Sequence, residues 1–285
     1  MRSGLLDVEV IADSTGRTRV RRLEQSYPQR VTTALHVDAD PRSAYLCVQS
    51  PSGGIFPDDT LRTAVTAGAG THLLLTSQSA SQVLAGDAGP GARHHQSIAV
   101  RSGAVVEYLP REIIPHADAG FDQRTEVEVE GDGVYVGWEM LAAGRVGHGE
   151  SYGYRSLSTR TVVRVDGTVV ARDALQLSKA NRALRQRILG GQHIATLMVV
   201  APTRAVAHVC DEIGSLVAPG ELPGIAGGVG LLPGECGVLV RLLGDRATPL
   251  RSFLSQLVTV CRRTLLAMGP PPARICLLYT SDAAD

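Results

Sequence analysis

The chain has 285 residues, 44% of them hydrophobic and 20% charged, enough to bury about three quarters of its unfolded surface in one large domain or two small ones. Its 28 basic and 28 acidic side chains cancel, so no global field draws it to nucleic acid or an anionic bilayer, and neither is expected as a partner. No apolar run reaches the roughly 18 residues of a spanning helix, and Met1–Asp7 carries no signal-peptide core; a cytoplasmic protein is expected.

Five cysteines, Cys47, Cys210, Cys236, Cys261 and Cys276, are scattered without a C-x-x-C pair, so reduced, mostly buried thiols are expected in place of a disulfide framework or zinc knuckle. Lys179 is the only lysine; the excess of arginine fits a GC-rich genome and carries no function.

From Leu6 to about Leu177 the sequence consists of short β-branched runs broken by glycine and aspartate turns. Val65-Thr66-Ala67-Gly68-Ala69-Gly70 leads into Thr71–Leu75, Val100-Arg101-Ser102-Gly103 into Ala104–Leu109, and Val129-Glu130-Gly131-Asp132-Gly133 into Val134–Trp138. With Val165 as a fourth member, the steps from Val65 are 35, 29 and 36 residues. This pattern predicts an irregular, layered β-helix-like stack in which no layer buries its own apolar face alone. Thr161–Val165 and Thr168–Ala171 flank Asp166-Gly167, whose positive φ angles suit a two-residue hairpin turn.

After each turn and its apolar strand the chain becomes polar: Thr76-Ser77-Gln78-Ser79, Arg111-Glu112, Glu139 and Arg172-Asp173. Stacked layers would align these ends into a column. Polar groups inside an apolar stack must be hydrogen-bonded or hydrated, so the column is either a wet internal path or a row of strand ends facing solvent.

Past Leu177 the texture changes. Lys179–Leu189 reads as a short helix or loop, and Ile194–Val200 as a buried strand ending before Pro202. Arg204–Val217 spaces Val206, Val209, Ile213 and Leu216 as an amphipathic helix ended by Pro219-Gly220. Gly237–Leu243 is a second buried strand, and Leu250–Leu266 a longer helix stopped at Gly269-Pro270-Pro271-Pro272. The whole is mainly β with about two α-helices near the C-terminus, in one domain over residues 1–275. Residues 276–285, Cys276-Leu277-Leu278-Tyr279-Thr280-Ser281-Asp282-Ala283-Ala284-Asp285, look like a translated sequencing adapter, so the native residues after Ile275 are expected to differ.

Catalytic motifs are missing. Lys179 lacks the glycines of a P-loop, Gly227-Gly228-Val229-Gly230 lacks a full dinucleotide fingerprint and reads as a turn or loop, and neither G-x-S-x-G nor H-E-x-x-H occurs. His94-His95 are the only adjacent histidines; in a glycine-rich, exposed loop they are weak candidates for transient Ni²⁺ or Zn²⁺ binding.

Four segments resemble one family, the urease accessory protein UreD, also called UreH. They are Ser50-Pro51-Ser52-Gly53-Gly54-Ile55-Phe56-Pro57-Asp58-Asp59-Thr60-Leu61; Gly68-Ala69-Gly70-Thr71-His72-Leu73-Leu74-Leu75-Thr76-Ser77-Gln78-Ser79-Ala80; Leu109-Pro110-Arg111-Glu112-Ile113-Ile114-Pro115; and Gly137-Trp138-Glu139 with Gly144-Arg145 and Gly149-Glu150. The strand Val238–Gly244 extends the match. Departures fall at Phe56-Pro57-Asp58, at Gln82 and Leu84, where the family usually has a basic and an aromatic residue, and at His116, where an aromatic is common.

The resemblance implies a non-enzymatic chaperone that binds apo-urease and UreF, is reached by the GTPase UreG through UreF, and passes transient Ni²⁺ along a water-filled route, with no permanent cofactor. Asp59, Thr76, Gln78, Ser79, Glu139, Glu150 and Asp173 are then the tunnel or partner-contact candidates, with Gly53 and Gly54 as structural turns. Turn capping for Asp59 and a buried ion pair with Arg145 or a neighbouring arginine for Glu150 are the plainer readings. The rival functions are a β-helical glycan-active enzyme using Glu139 and Asp173 as acid and base, and a plain protein-interaction module.

Overall fold

The computed structural model describes residues 3–31, 33–86, 89, 91–178, 191–218 and 222–272. The expectations for Lys179–Leu189, for the Pro219-Gly220 stop and for residues 276–285 lie outside the described residues.

Alternating apolar and polar runs, with fully buried runs such as β15, make seventeen strands among the described residues. They are β1 (Ser3–Ala12), β2 (Thr18–Gln25), β3 (Arg30–Val31), β4 (Ala44–Gln49), β5 (Thr60–Ala67), β6 (His72–Ser77), β7 (Ser81–Val83), β8 (Ala92–Val100) and β9 (Val105–Leu109). Then come β10 (Ile113–Pro115), β11 (Gly120–Val129), β12 (Val134–Ala142), β13 (Ser156–Val165), β14 (Thr168–Ser178), β15 (His193–Val200), β16 (Ile225–Leu231) and β17 (Gly237–Gly244). Among the described residues two α-helices lie near the C-terminal end, α1 (Val206–Val217) and α2 (Ala247–Cys261), and α2 runs on into a π-helical turn, Arg262–Leu266. The result is a mainly β, solenoid-like stack of about four turns with two helices near the C-terminus.

The strands form two sheets. The first has the order β14-β13-β11-β8-β5-β1-β2 and the second β16-β17-β15-β12-β9-β6-β4-β3. Within the first, β1, β5, β8, β11 and β13 are parallel; within the second, β4, β6, β9 and β12 are parallel. Each solenoid turn therefore climbs one strand of the first sheet, crosses at a glycine turn and returns in the second. Gly70, Gly103 and Gly131 hold positive φ at these crossings, a conformation open to glycine at little cost.

The fourth unit departs from the expected stack. Asp166-Gly167 makes a tight hairpin, so β14 folds back antiparallel beside β13 in the first sheet instead of crossing to the second. Asp173 thus approaches the interior from the opposite wall to Glu139. Two further expectations are corrected: Gly227–Gly230 belong to β16, and His94 and His95 to β8, because ladder hydrogen bonds to β17 and to β5 and β11 hold those segments extended.

Apolar side chains fill both ends of the inter-sheet space. Val8, Val65, Ile98, Val127 and Val163 meet Leu46, Leu73, Leu75 and Val106 near the turns. At the other end Leu61, Ala92, Phe121 and Leu157 meet Ile113, Leu141 and Ile194. A third core lies on the outer face of the second sheet, beneath α1 and α2.

Candidate functional site

Between the two apolar ends of the interior, the first sheet turns polar. Thr63, Gln96, Thr125, Thr161 and Asp173 are cross-strand neighbours in that order, from β5 to β14. Two residues along the strands, His94, Gln123 and Thr159 form a second row. Because side chains alternate faces every residue, both rows point inward. Glu139, Thr196 and Arg241 are neighbours across the second sheet. Thr63, Gln96, Thr125, Thr161 and Asp173, with His94 and Gln123 of the second row and Glu139 and Thr196 of the second sheet, border a cavity of about 400 Å³, reaching from Gln29 at one end of the stack to Asp173 and Thr196 at the other.

Hydrogen bonds run along the wall. Gln29 Nε2 donates to Thr63 Oγ1 at 2.7 Å, and Thr63 Oγ1 lies 2.9 Å from His94 Nε2. Thr125 donates to Gln96 Oε1 at 3.0 Å, while Gln96 Nε2 reaches Tyr108 Oη at 3.0 Å and His94 Nδ1 at 3.3 Å. An amide donating to Nδ1 places the His94 proton on Nε2. Desolvation, helped by the neighbouring His95, holds the His94 pKa down to about 4, so the imidazole is neutral at pH 7. Gln29 Oε1 is buried without a partner, an acceptor facing a space where water or a cation would satisfy it.

Glu139 is the most perturbed carboxyl on the cavity wall. Desolvation raises its pKa to about 7, opposed by the Thr159 hydroxyl and reinforced by the charge of Asp173. Gln123 Nε2 also donates to it. Asp173 itself is paired with Arg241 at 2.5 Å. The wall therefore carries one carboxylate fixed by an arginine and one that gains or loses its charge near neutrality. Gly137, inward-facing two residues before Glu139, supplies room: a Cβ there would collide with the phenol of Tyr135.

The expected site residues divide. Thr76, Ser79, Glu139 and Asp173 border the cavity, and Gly53 and Gly54 form its rim. Gly53 takes φ +70°, and a Cβ on Gly54 would press on the Gln82 carbonyl. Thr76 is tied to the Leu109 carbonyl at 2.6 Å, and Gln78 is half-buried and joins β4 through its backbone. Asp59 lies off the cavity, accepting the Phe56 N–H at 2.9 Å as a turn cap. Glu150 pairs with Arg145 and accepts the Ala117 N–H; the Arg145 hydrogen bond lowers its pKa to about 2. His94 and His95 face opposite sides of β8, one inward and one to solvent, so they do not converge on one ion. Among the described residues no group of three or more His, Cys, Asp or Glu is placed to hold a metal.

Sequence reasoning missed the inward rows of the first sheet. Their signal was present: Thr63-x-Val65, Gln96-x-Ile98, Thr125-x-Val127 and Thr161-x-Val163 recur just before each turn, and attention to the strands after the turns passed over them.

Parallel β-layers enclosing a partly polar cavity define a solenoid scaffold. The chain belongs to the UreD family of urease accessory proteins, whose pattern it matches over residues 2–276. It is 48% identical to the urease accessory protein UreD of Mycolicibacterium gilvum, over 92% of this chain and 95% of that one. It is 34% identical to the UreD of an Azoarcus species, over 87% and 85%, and 29% identical to that of Cenarchaeum symbiosum, over 96% of each.

Proposed function

We propose that residues 1–275 act as one unit, a non-catalytic urease-maturation chaperone of the cytoplasm. It binds apo-urease and UreF, meets UreG through UreF, and passes nickel to the urease active site through its interior. The polar rows across the first sheet carry this reading: hydroxyls, amides, one neutral imidazole and one near-neutral carboxyl offer many weak oxygen and nitrogen donors. A cargo ion must enter and leave, and scattered weak donors permit both where a closed His/Cys cage would trap it.

The glycan-enzyme alternative draws on Glu139 and Asp173, but Arg241 engages Asp173 and the pair faces a cavity between sheets instead of a surface groove. Co-purification tests the assignment. The chain, apo-urease and UreF from one source are expected to form a complex that activates urease when UreG, GTP and Ni²⁺ are added. A folded sample that binds neither apo-urease nor UreF would contradict it.

A further inference from the structure

The outer face of the first sheet bears a row of basic side chains that the interior path does not use. Arg62, His95, Arg124 and Arg160 are direct cross-strand neighbours on β5, β8, β11 and β13, and all four are exposed. With strands about 4.8 Å apart, the row spans about 14 Å. Like charges placed opposite one another destabilise a sheet. Carboxylates relieve little of this: Arg124 meets Asp122 at 3.3 Å, while Arg62 and Arg160 pair with no carboxylate among the described residues.

The surroundings suit docking. On β5 and β8, Ala64 and Ser97 lie beside the row and Thr66 and Ala99 beyond it, while on β11 and β13 the same positions carry Glu126 and Val162, then Glu128 and Arg164. The helices pack on the other sheet, leaving this face uncovered by any described helix. We propose that the Arg62–His95–Arg124–Arg160 row is a docking surface for an acidic protein surface. Protein is favoured over nucleic acid because Asp122 and Glu126 interrupt the basic row on the same face of β11: a protein can set discrete carboxylates against the arginines and none against these two, whereas a phosphate backbone is uniformly negative, and the chain has no net charge to attract one.

The choice of binding partners for the test rests on the maturation reading. Arg62→Gln, Arg124→Gln and Arg160→Gln are combined, and binding to purified apo-urease and to purified UreF is measured separately across a salt titration. Exposed interfacial charges act through electrostatic attraction. The triple variant is expected to bind one of the two partners about tenfold more weakly at low salt, with the difference shrinking as salt rises. Its melting temperature should stay level or rise, since like-charge contacts have been removed, which separates lost docking from lost folding. Unchanged binding to both partners would overturn the proposal while leaving the maturation reading intact. Wild-type protein that bound neither would overturn both. Retention of wild-type protein on duplex DNA, lost in the triple variant, would reassign the row to nucleic acid and overturn the protein-docking assignment.

Discussion

Glu139 is the residue at which stability and the proposed passage of nickel would both depend on pH. A carboxyl with an ordinary pKa of 4.5 that is raised to about 7 by burial keeps its proton in the folded state while the unfolded chain has lost it. Stability therefore falls as pH rises from about 4.5 to about 7 and is flat above that. Glu139→Gln removes this dependence. Denaturant unfolding is expected to show the variant more stable than the parent at about pH 8, by up to roughly 3 kcal/mol, with little difference near pH 4.5. Transport carries the opposite sign: above about pH 7 the charged carboxylate attracts a cation, so nickel transfer by the parent should rise through neutrality and that of the variant should not. A variant with the parent's pH dependence in both measurements would remove Glu139 from this role. Two of the departures from the family pattern also explain each other, because His116 Nε2 lies 2.8 Å from Gln82 Oε1. A double-mutant cycle with Gln82→Ala and His116→Ala is expected to give a coupling of about 1 kcal/mol; additive effects would show the pair to be independent.

At the scale of elements, α2 is anchored by charge as well as by its apolar stripe. Arg262, in the π-helical turn, is wholly buried, 2.6 Å from Asp38 and 3.2 Å from Glu107, and Glu107 lies 2.6 Å from His72. Glu107 and His72 belong to neighbouring strands of the second sheet, so the cluster pins the C-terminal turn to the first layers of the stack. Removing one member of a buried pair strands the other charge. Arg262→Leu is therefore expected to cost about 3 to 5 kcal/mol in chemical denaturation, and a loss below about 1 kcal/mol would show that apolar packing alone holds α2. None of this was legible in the sequence, where Asp38, His72, Glu107 and Arg262 lie far apart and carry no motif. The Asp166-Gly167 hairpin was legible because its turn chemistry is local. Its consequence was not: the reversal puts β14 in the first sheet and aims Asp173 at Glu139, an outcome set by long-range pairing.

For the whole molecule, the repeat of turns announced a stack, and the stack aligns whatever each layer carries at one register position. Val65, Ile98, Val127 and Val163 become an apolar seam, and the residues two places earlier become the hydrogen-bonding wall. An enclosed bore was one of two readings of the strand ends after the turns; Thr76, Ser79, Glu139 and Asp173 border the cavity, and the hydrogen-bonded rows come from the strands before the turns. Asp59 and Glu150, in segments that resemble the family, are held by a turn cap and an ion pair, the local roles that the sequence offered beside a place on a path or at a partner. The most direct measurement is nickel arrival in urease when the wall is altered and the assembly kept. Glu139→Leu with Asp173→Leu is assembled with apo-urease, UreF and UreG, complex formation is verified, and bound nickel and urease activity are followed in time. Passage through the interior requires an intact complex with both signals strongly reduced; an intact complex that loads and activates urease at the wild-type rate would contradict it.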